Sequence, residues 1–252
     1  MDVHGVPSPP DFPAETYHKV SYLLDTWPHP ECESWEQARG GWHGVGYRFL
    51  AVASFDEAWR ASLAEGGTAP TPKVRLWQET SLFGFFVAAT AVIDCLSYAA
   101  FGAGALVQPE AFREMSTPET RQRIRTKDVP KRLRAAFPQA SLADSLEVAL
   151  ISDEYVQLDR TRNVLAHRLL PSRRHFVDPV TKRLTRPSEW DLDLRGTETV
   201  EMTPDFTATP RGWLAQTLST VMPDMAAFIR AIKAESDGSA KSSTSGVGSR
   251  RD

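Results

Sequence analysis

The stretch LFGFFVAATAVIDCLSYAAFGAGALV, Leu82 to Val107, is 26 residues long and carries one charge, Asp94. As a helix it would run about 39 Å, enough to cross a bilayer. Asp94 near its middle would then cost about 2.5–3.5 kcal/mol. The run is also diluted by Gly84, Ser97, Gly102, Gly104 and several alanines. A buried helix over Val74–Phe101 fits these residues better than a span. A helix apolar all round belongs in the middle of a bundle. Ala88, Ala89, Ala91 and Ala99 would let its neighbours approach closely.

Working outward, Val20, Leu23, Leu24 and Trp27 recur at helical spacing and predict a helix over Ala14–Trp27, stopped by Pro28 and Pro30. Glu31 to Gly46, rich in Trp and Gly, reads as irregular. Tyr47 to Ala53 suits a strand or a helix start. Ser54 with Glu57 resembles a capping box and favours a helix through Trp59 and Leu63, ended by Gly66 and Gly67. Downstream, Pro109 and Pro118 occupy first helical positions, and Thr117, Asp128 and Ser141 are candidate N-caps. The helix after Ser141 is expected to continue, kinked near Ser152, to Leu170 and to stop at Pro171. Phe176-Val177, the Asp178-Pro179 turn, Thr181–Thr185 and Trp190–Leu194 read as a short β-hairpin or extended arm. Thr209 and Pro210 start a last helix whose face is Leu214, Leu218, Val221, Met222, Met225, Phe228, Ile229 and Ile232. Pro223 should kink it. The Ser/Gly/Lys-rich tail from Glu235 should be disordered. The expected organisation is a mainly α chain. An N-terminal helical or irregular extension occupies 1–73, a helical bundle 74–234 with a small β-hairpin insertion at about 172–203, and a disordered tail 235–252.

Over 252 residues, 41% are hydrophobic and 24% charged, which excludes a wholly disordered chain, a collagen and a disulfide-knotted mini-protein. Cys32 and Cys95 make neither a disulfide framework nor a zinc ribbon. Met1–Pro13 is proline-rich and lacks an apolar stretch, so a cytoplasmic chain with reduced thiols is expected. Net charge is −3, yet residues 121–186 sum to +8, and Arg121–Arg134 hold seven Lys/Arg against one acid. Such a block is a candidate phosphate-facing surface, although Arg-rich helices also solvate well. No metal-ligand spacing links His18, His29 and Cys32, and there is neither a phosphate-binding glycine loop nor a G-x-S-x-G elbow. His43, in Gly41-Trp42-His43-Gly44, reads as part of a plain loop. Trp42 and Trp190 are candidates to stack on a base. No metal or cofactor is implied.

The most informative segment is Arg160-Thr161-Arg162-Asn163-Val164-Leu165-Ala166-His167-Arg168. At 100° per residue, Arg160, Asn163 and His167 share a narrow arc, and the long Arg162 side chain can reach a cleft bordered by it. Histidine moves protons near neutral pH, arginine clamps phosphate oxygens, and asparagine can hold either partner. These are parts for metal-free phosphodiester cleavage with the RNA 2′-hydroxyl as nucleophile. A plain helical surface with a histidine favouring the helix dipole uses the same residues.

Arg162-Asn163-Val164-Leu165-Ala166-His167 resembles the Arg-Asn-x-x-x-His motif of HEPN domains, and the resemblance covers roughly residues 74–234. It implies an α-helical bundle that usually dimerises, often a metal-independent endoribonuclease of toxin–antitoxin, phage-defence or RNA-processing systems. On that resemblance His167 would transfer the proton, Arg162 would bind the scissile phosphate, and Asn163 would orient one of them. Asp94 would supply the acid often found near the motif arginine and would ion-pair with Arg162; the plainer reading is that Asp94 faces solvent on a partly exposed helix. Arg121, Arg123, Arg125, Lys131 and Arg132 of the basic block, with Arg168, Arg173 and Arg174 beyond the motif, would guide RNA. The implied partners are RNA, a second copy of the chain, and an antitoxin or regulatory protein. Leu169 stands where some family toxins carry a modifiable tyrosine, so that mode of neutralisation is not implied. The alternatives are a non-catalytic bundle binding nucleotide, RNA or protein, and a membrane-associated protein using Leu82–Val107.

Overall fold

The computed structural model describes residues 1–28, 32–66, 70–167, 172–181, 184–191 and 199–244; for 167 and 237–244 the backbone alone is described. The chain is mainly helical, with eight α-helices among the described residues: α1 (Ala14–Asp25), α2 (Glu33–Gly66), α3 (Pro72–Ala105), α4 (Pro118–Arg121), α5 (Val129–Ala136), α6 (Leu142–Ile151), α7 (Asp153–His167) and α8 (Asp205–Thr244).

The apolar stretch is the core of α3. Leu82, Phe85, Ala89, Val92, Ile93, Leu96, Ala99 and Ala100 are fully buried. By length and hydropathy α3 could cross a membrane, but most of its apolar window is covered by its neighbours, as befits a core helix. Thr71 caps its start, accepting from the Val74 amide, with Pro72 in the first turn.

Its main partner is α2, and this differs from the sequence reading. The Trp/Gly-rich segment expected to be irregular is helical from Glu33 onward, and Ser54 lies inside the helix rather than at its cap. Glycine weakens an isolated helix by about 1 kcal/mol per residue, but here it makes close packing available. A Cβ on Gly41 would stand 3.0 Å from the Ala99 backbone nitrogen, and one on Gly102 would stand 2.9 Å from that of Ala38. The two helices run antiparallel with their backbones nearly touching at this end. α1 is pinned across the pair by indole donors. Trp35 Nε1 donates to the Leu24 carbonyl at 2.7 Å and Trp42 Nε1 to the Tyr17 carbonyl at 3.2 Å. Before α1, the two-residue strands β1 (Asp2–Val3) and β2 (Val6–Pro7) form a hairpin. His4 (φ 53°) and Gly5 (φ 77°) give it a type I′ turn, and Val3 is buried.

α8 closes the bundle with the expected stripe, Leu214 to Ile232. It begins four residues before Thr209 and runs to Thr244, so residues 235–244, expected to be disordered, continue the helix; 245–252 lie outside the described residues. Trp59 Nε1 donates to the Thr203 carbonyl at 3.0 Å and ties α2 to the approach of α8. A deeper clasp joins Arg211 to Asp11 at 2.8 Å and to Asp56 at 2.9 Å; Asp56 is 1% exposed and also accepts from Thr207 and Arg60.

The expected β arm is present as the antiparallel strands β3 (Arg173–Arg174), β4 (Glu189–Asp191) and β5 (Thr199–Glu201), three strands where a hairpin was expected. A bridge between Val177 and Leu184 flanks the Asp178 turn, where Asp178 Oδ1 accepts from the Val180 and Thr181 amides. Arg173 fastens the arm to α3. Its guanidinium, 2% exposed, donates to Glu79 Oε1 at 2.6 and 3.0 Å and to Gln78 Oε1 at 2.6 Å, and lies over the Trp190 ring.

Candidate functional site

The helix carrying the motif starts at a sharp break. Ser152 is extended (ψ 148°) between α6 and α7, and its hydroxyl accepts from the Tyr155 amide at 3.2 Å, starting α7 in a new direction. The expected kink is thus a full interruption. α7 packs against α3 through Leu158 and Val164, which turns Asp159, Arg162 and Asn163 towards the ground between α7, α3 and the loop before α5.

That ground is a cleft of about 620 Å³. Asp94 and Tyr155 stand in its wall, Arg125 and Lys127 on the loop side, and Arg160, Arg162 and Asn163 on the α7 side. Four cations and two carboxylates therefore face one space. Arg162 Nη2 donates to Asp159 Oδ1 at 3.1 Å and Nη1 to Asn163 Oδ1 at 2.9 Å. Asn163 Nδ2 donates to Asp159 Oδ2 at 3.2 Å. One turn of helix thus fixes the motif arginine and asparagine on a shared carboxylate, an i,i+3 and i,i+4 arrangement.

The ion pair expected between Asp94 and Arg162 is not formed. Asp94 Oδ1 instead accepts a short hydrogen bond from the Thr126 hydroxyl, and Arg162 turns to Asp159. The reason is proximity: Asp159 is on the same helix, one turn before Arg162, and reaching it orders less side chain. Arg162 still acts on Asp94 through space. Asp94 is exposed, yet the protein close around it withdraws enough water to push its carboxyl above the usual range. The Thr126 bond and then the Arg162 charge oppose that rise, and Asp159 adds to it. Burial, with Asp94 and Asp159 beside it, also drives the Tyr155 phenol strongly up, so this hydroxyl keeps its proton and is available as a donor.

His167 ends α7; its side chain, and all of Arg168, lie outside the described residues. The expected RNA-contacting cations divide into two groups. Arg123, Arg125 and Lys131 are exposed and, among the described residues, have no carboxylate partner. The others are held by acids: Arg121 by Glu33, Arg132 by Glu114 at 2.6 Å, and Arg174 by Asp191 at 3.1 Å. Arg173 is buried on Glu79; burial moves both pKa values toward neutrality, Glu79 up and Arg173 down. It anchors the arm and offers nothing to an outside ligand in this conformation.

Sequence reasoning missed Thr126, Tyr155 and Asp159. Asp159 was within reach, because its spacing to Arg162 and Asn163 is the ordinary helical ion-pair spacing. Lys127 belongs to the basic block, whereas Thr126 and Tyr155 come to the cleft only through tertiary packing, and no local pattern marks them.

Nothing matches this chain among protein-family models, curated proteins or solved structures.

Proposed function

We propose that the chain is a metal-independent endoribonuclease of the HEPN type, acting as a homodimer in a toxin, phage-defence or stress-response role. The observation that carries this reading is the cleft in which Arg162 and Asn163 of the motif face Arg125, Lys127 and Arg160. A phosphodiester entering it meets bidentate and point-charge donors at once. The 2′-hydroxyl attacks the adjacent phosphorus, the P–O5′ bond breaks, and a 2′,3′-cyclic phosphate and a 5′-hydroxyl result. His167 moves the proton, Arg162 steadies charge on the phosphorane, and Asn163 with Asp159 holds Arg162 in place. Val148, Ile151 and Val156 are exposed around the α6–α7 break beside the cleft and supply an apolar patch on which a second copy would seat.

The grip of Asp159 on Arg162 favours one second reading, RNA binding without cleavage, because a guanidinium already paired adds less positive charge to a phosphorane. Digestion of bulk RNA by verified dimer, with chelator present, separates the two. Cleavage with cyclic-phosphate ends is expected. His167→Ala should lower it by about 10²–10⁴-fold and Arg162→Ala by about 10²–10³-fold. Salt-dependent binding with intact RNA would establish the second reading, and cleavage surviving His167→Ala would move the active site elsewhere.

A further inference from the structure

Behind the Asp94–Thr126 hydrogen bond lies a second pocket, of about 430 Å³, between α3 and the loop before α5. Asp94, Arg125 and Thr126 line both it and the motif cleft, so the two spaces share one wall. Its other sides are Cys95, Ser97, Tyr98, Ile124 and Val129. Ser97 is the odd residue. Elsewhere on α3 the hydroxyls of Thr80, Ser81 and Thr90 donate to the carbonyl four residues back, as helical hydroxyls commonly do. Ser97 is 1% exposed and, among the described residues, its Oγ has no partner. A buried unmade hydrogen bond costs about 1–3 kcal/mol, and a site that retains one is suited to a ligand that makes it.

We propose that this pocket is a guanine subsite, and that one nucleotide spans both spaces, base against Ser97 and Asp94, phosphate against the cations of the motif cleft. This rests on the reading of that cleft as a phosphate site. The choice of base follows from Asp94. A carboxylate only accepts, and guanine presents two adjacent donors, N1–H and the N2 amine, to it. Uracil presents one. Adenine and cytosine each place an acceptor nitrogen beside their amine, which a carboxylate repels. Ser97, one helical turn along from Asp94, then lies beside O6 and donates to it. Tyr98, whose hydroxyl is held by Gln37 at 2.7 Å, and Ile124 give the base its flat and apolar walls. Arg125, exposed and without a carboxylate partner among the described residues, lines both spaces and can stack on the base face while reaching towards the phosphate.

Calorimetric titration of the full chain with the four 5′-nucleoside monophosphates and with inosine monophosphate tests this. GMP should bind most tightly, UMP next, AMP and CMP least. Inosine monophosphate, lacking the N2 amine, should bind about tenfold more weakly than GMP, and Ser97→Ala should weaken GMP about fivefold. Equal binding of the nucleotides, no binding, or inosine monophosphate matching GMP would overturn the subsite. The inosine arm uses the natural chain, so it stands even if Ser97→Ala misfolds. RNA digestion in parallel keeps the two ideas apart. GMP preference without cleavage keeps the subsite and removes the nuclease, whereas cleavage without nucleotide preference does the reverse.

Discussion

Asp94 is exposed on the cleft wall, and its ionisation is coupled to Thr126, Arg162 and Asp159. The folded chain keeps the Asp94 proton more tightly than the unfolded chain does, because burial outweighs the Thr126 bond and the Arg162 charge. Ionised Asp94 therefore costs stability at neutral pH, and the cost fades as pH falls through the raised folded value. Asp94→Asn keeps an acceptor for Thr126 and should raise Tm at pH 7, with the gain vanishing near the ordinary carboxylate value of about 4. Thermal melts across that range check the sign; a gain that grows on acidification would mean Asp94 is stabilised by its neighbours instead. Thr126→Val removes the donor and should push the Asp94 titration higher still, measurable by carboxyl NMR. The same residues show what the sequence can say about a site. Asp94 stands out as the one charge in an apolar run, and Arg162 and Asn163 by their motif. Asp94 does not pair with Arg162 because a nearer acid on α7, Asp159, competes for the arginine, a contest decided by helix geometry rather than by residue type.

At the scale of elements, the α2–α3 pair depends on atoms that are not there. Gly102→Ala places a Cβ against the Ala38 backbone, which cannot swing aside as a flexible side chain would. The gain of about 1 kcal/mol in helix propensity should be outweighed by overpacking of about 1–3 kcal/mol. A lowered urea midpoint with unchanged slope is expected; a raised midpoint would mean the helices separate easily. This packing is also why the α2 segment misleads a reader of the sequence. Its glycines have the composition of a loop, and only the facing backbone of α3 explains them. α3 itself and the α8 stripe are legible, because each carries its own period or punctuation within a dozen residues, while the α6–α7 break is legible only as a kink near Ser152 in a helix expected to continue. The β1–β2 hairpin is not: its strands are two residues long and its turn is written in the dihedrals of His4 and Gly5. The arm is legible as extended chain, but its anchor, Arg173 on Glu79, pairs residues too far apart in sequence to read. Glu79→Ala should free the arm, and trypsin should then cut at Arg186 faster while α3 stays protected. Unchanged cleavage would show that Trp190, fully buried, holds the arm alone.

Across the whole molecule one core runs from Val3 to Ile232, and the residues either side of position 73 share it. Its closing fastener is polar. Arg211→Met strips Asp56, 1% exposed, and Asp11 of their cation together, leaving Asp56 with Arg60 and Thr207. A loss of about 3 kcal/mol is expected, the low end for a broken buried pair, read from denaturant unfolding. The clasp has a further consequence, for timing. Asp11 and Arg211 are separated by 200 residues. By contrast α2 and α3 adjoin in the chain and meet along their lengths. Closing so long a loop is unfavourable until most of the intervening chain is already compact. The clasp should therefore form after the rate-limiting barrier and act as a latch on the way out. In stopped-flow fluorescence, Arg211→Met should unfold about a hundredfold faster while refolding within about twofold of the natural rate. Slower refolding would instead put the meeting of these two distant segments inside the folding nucleus.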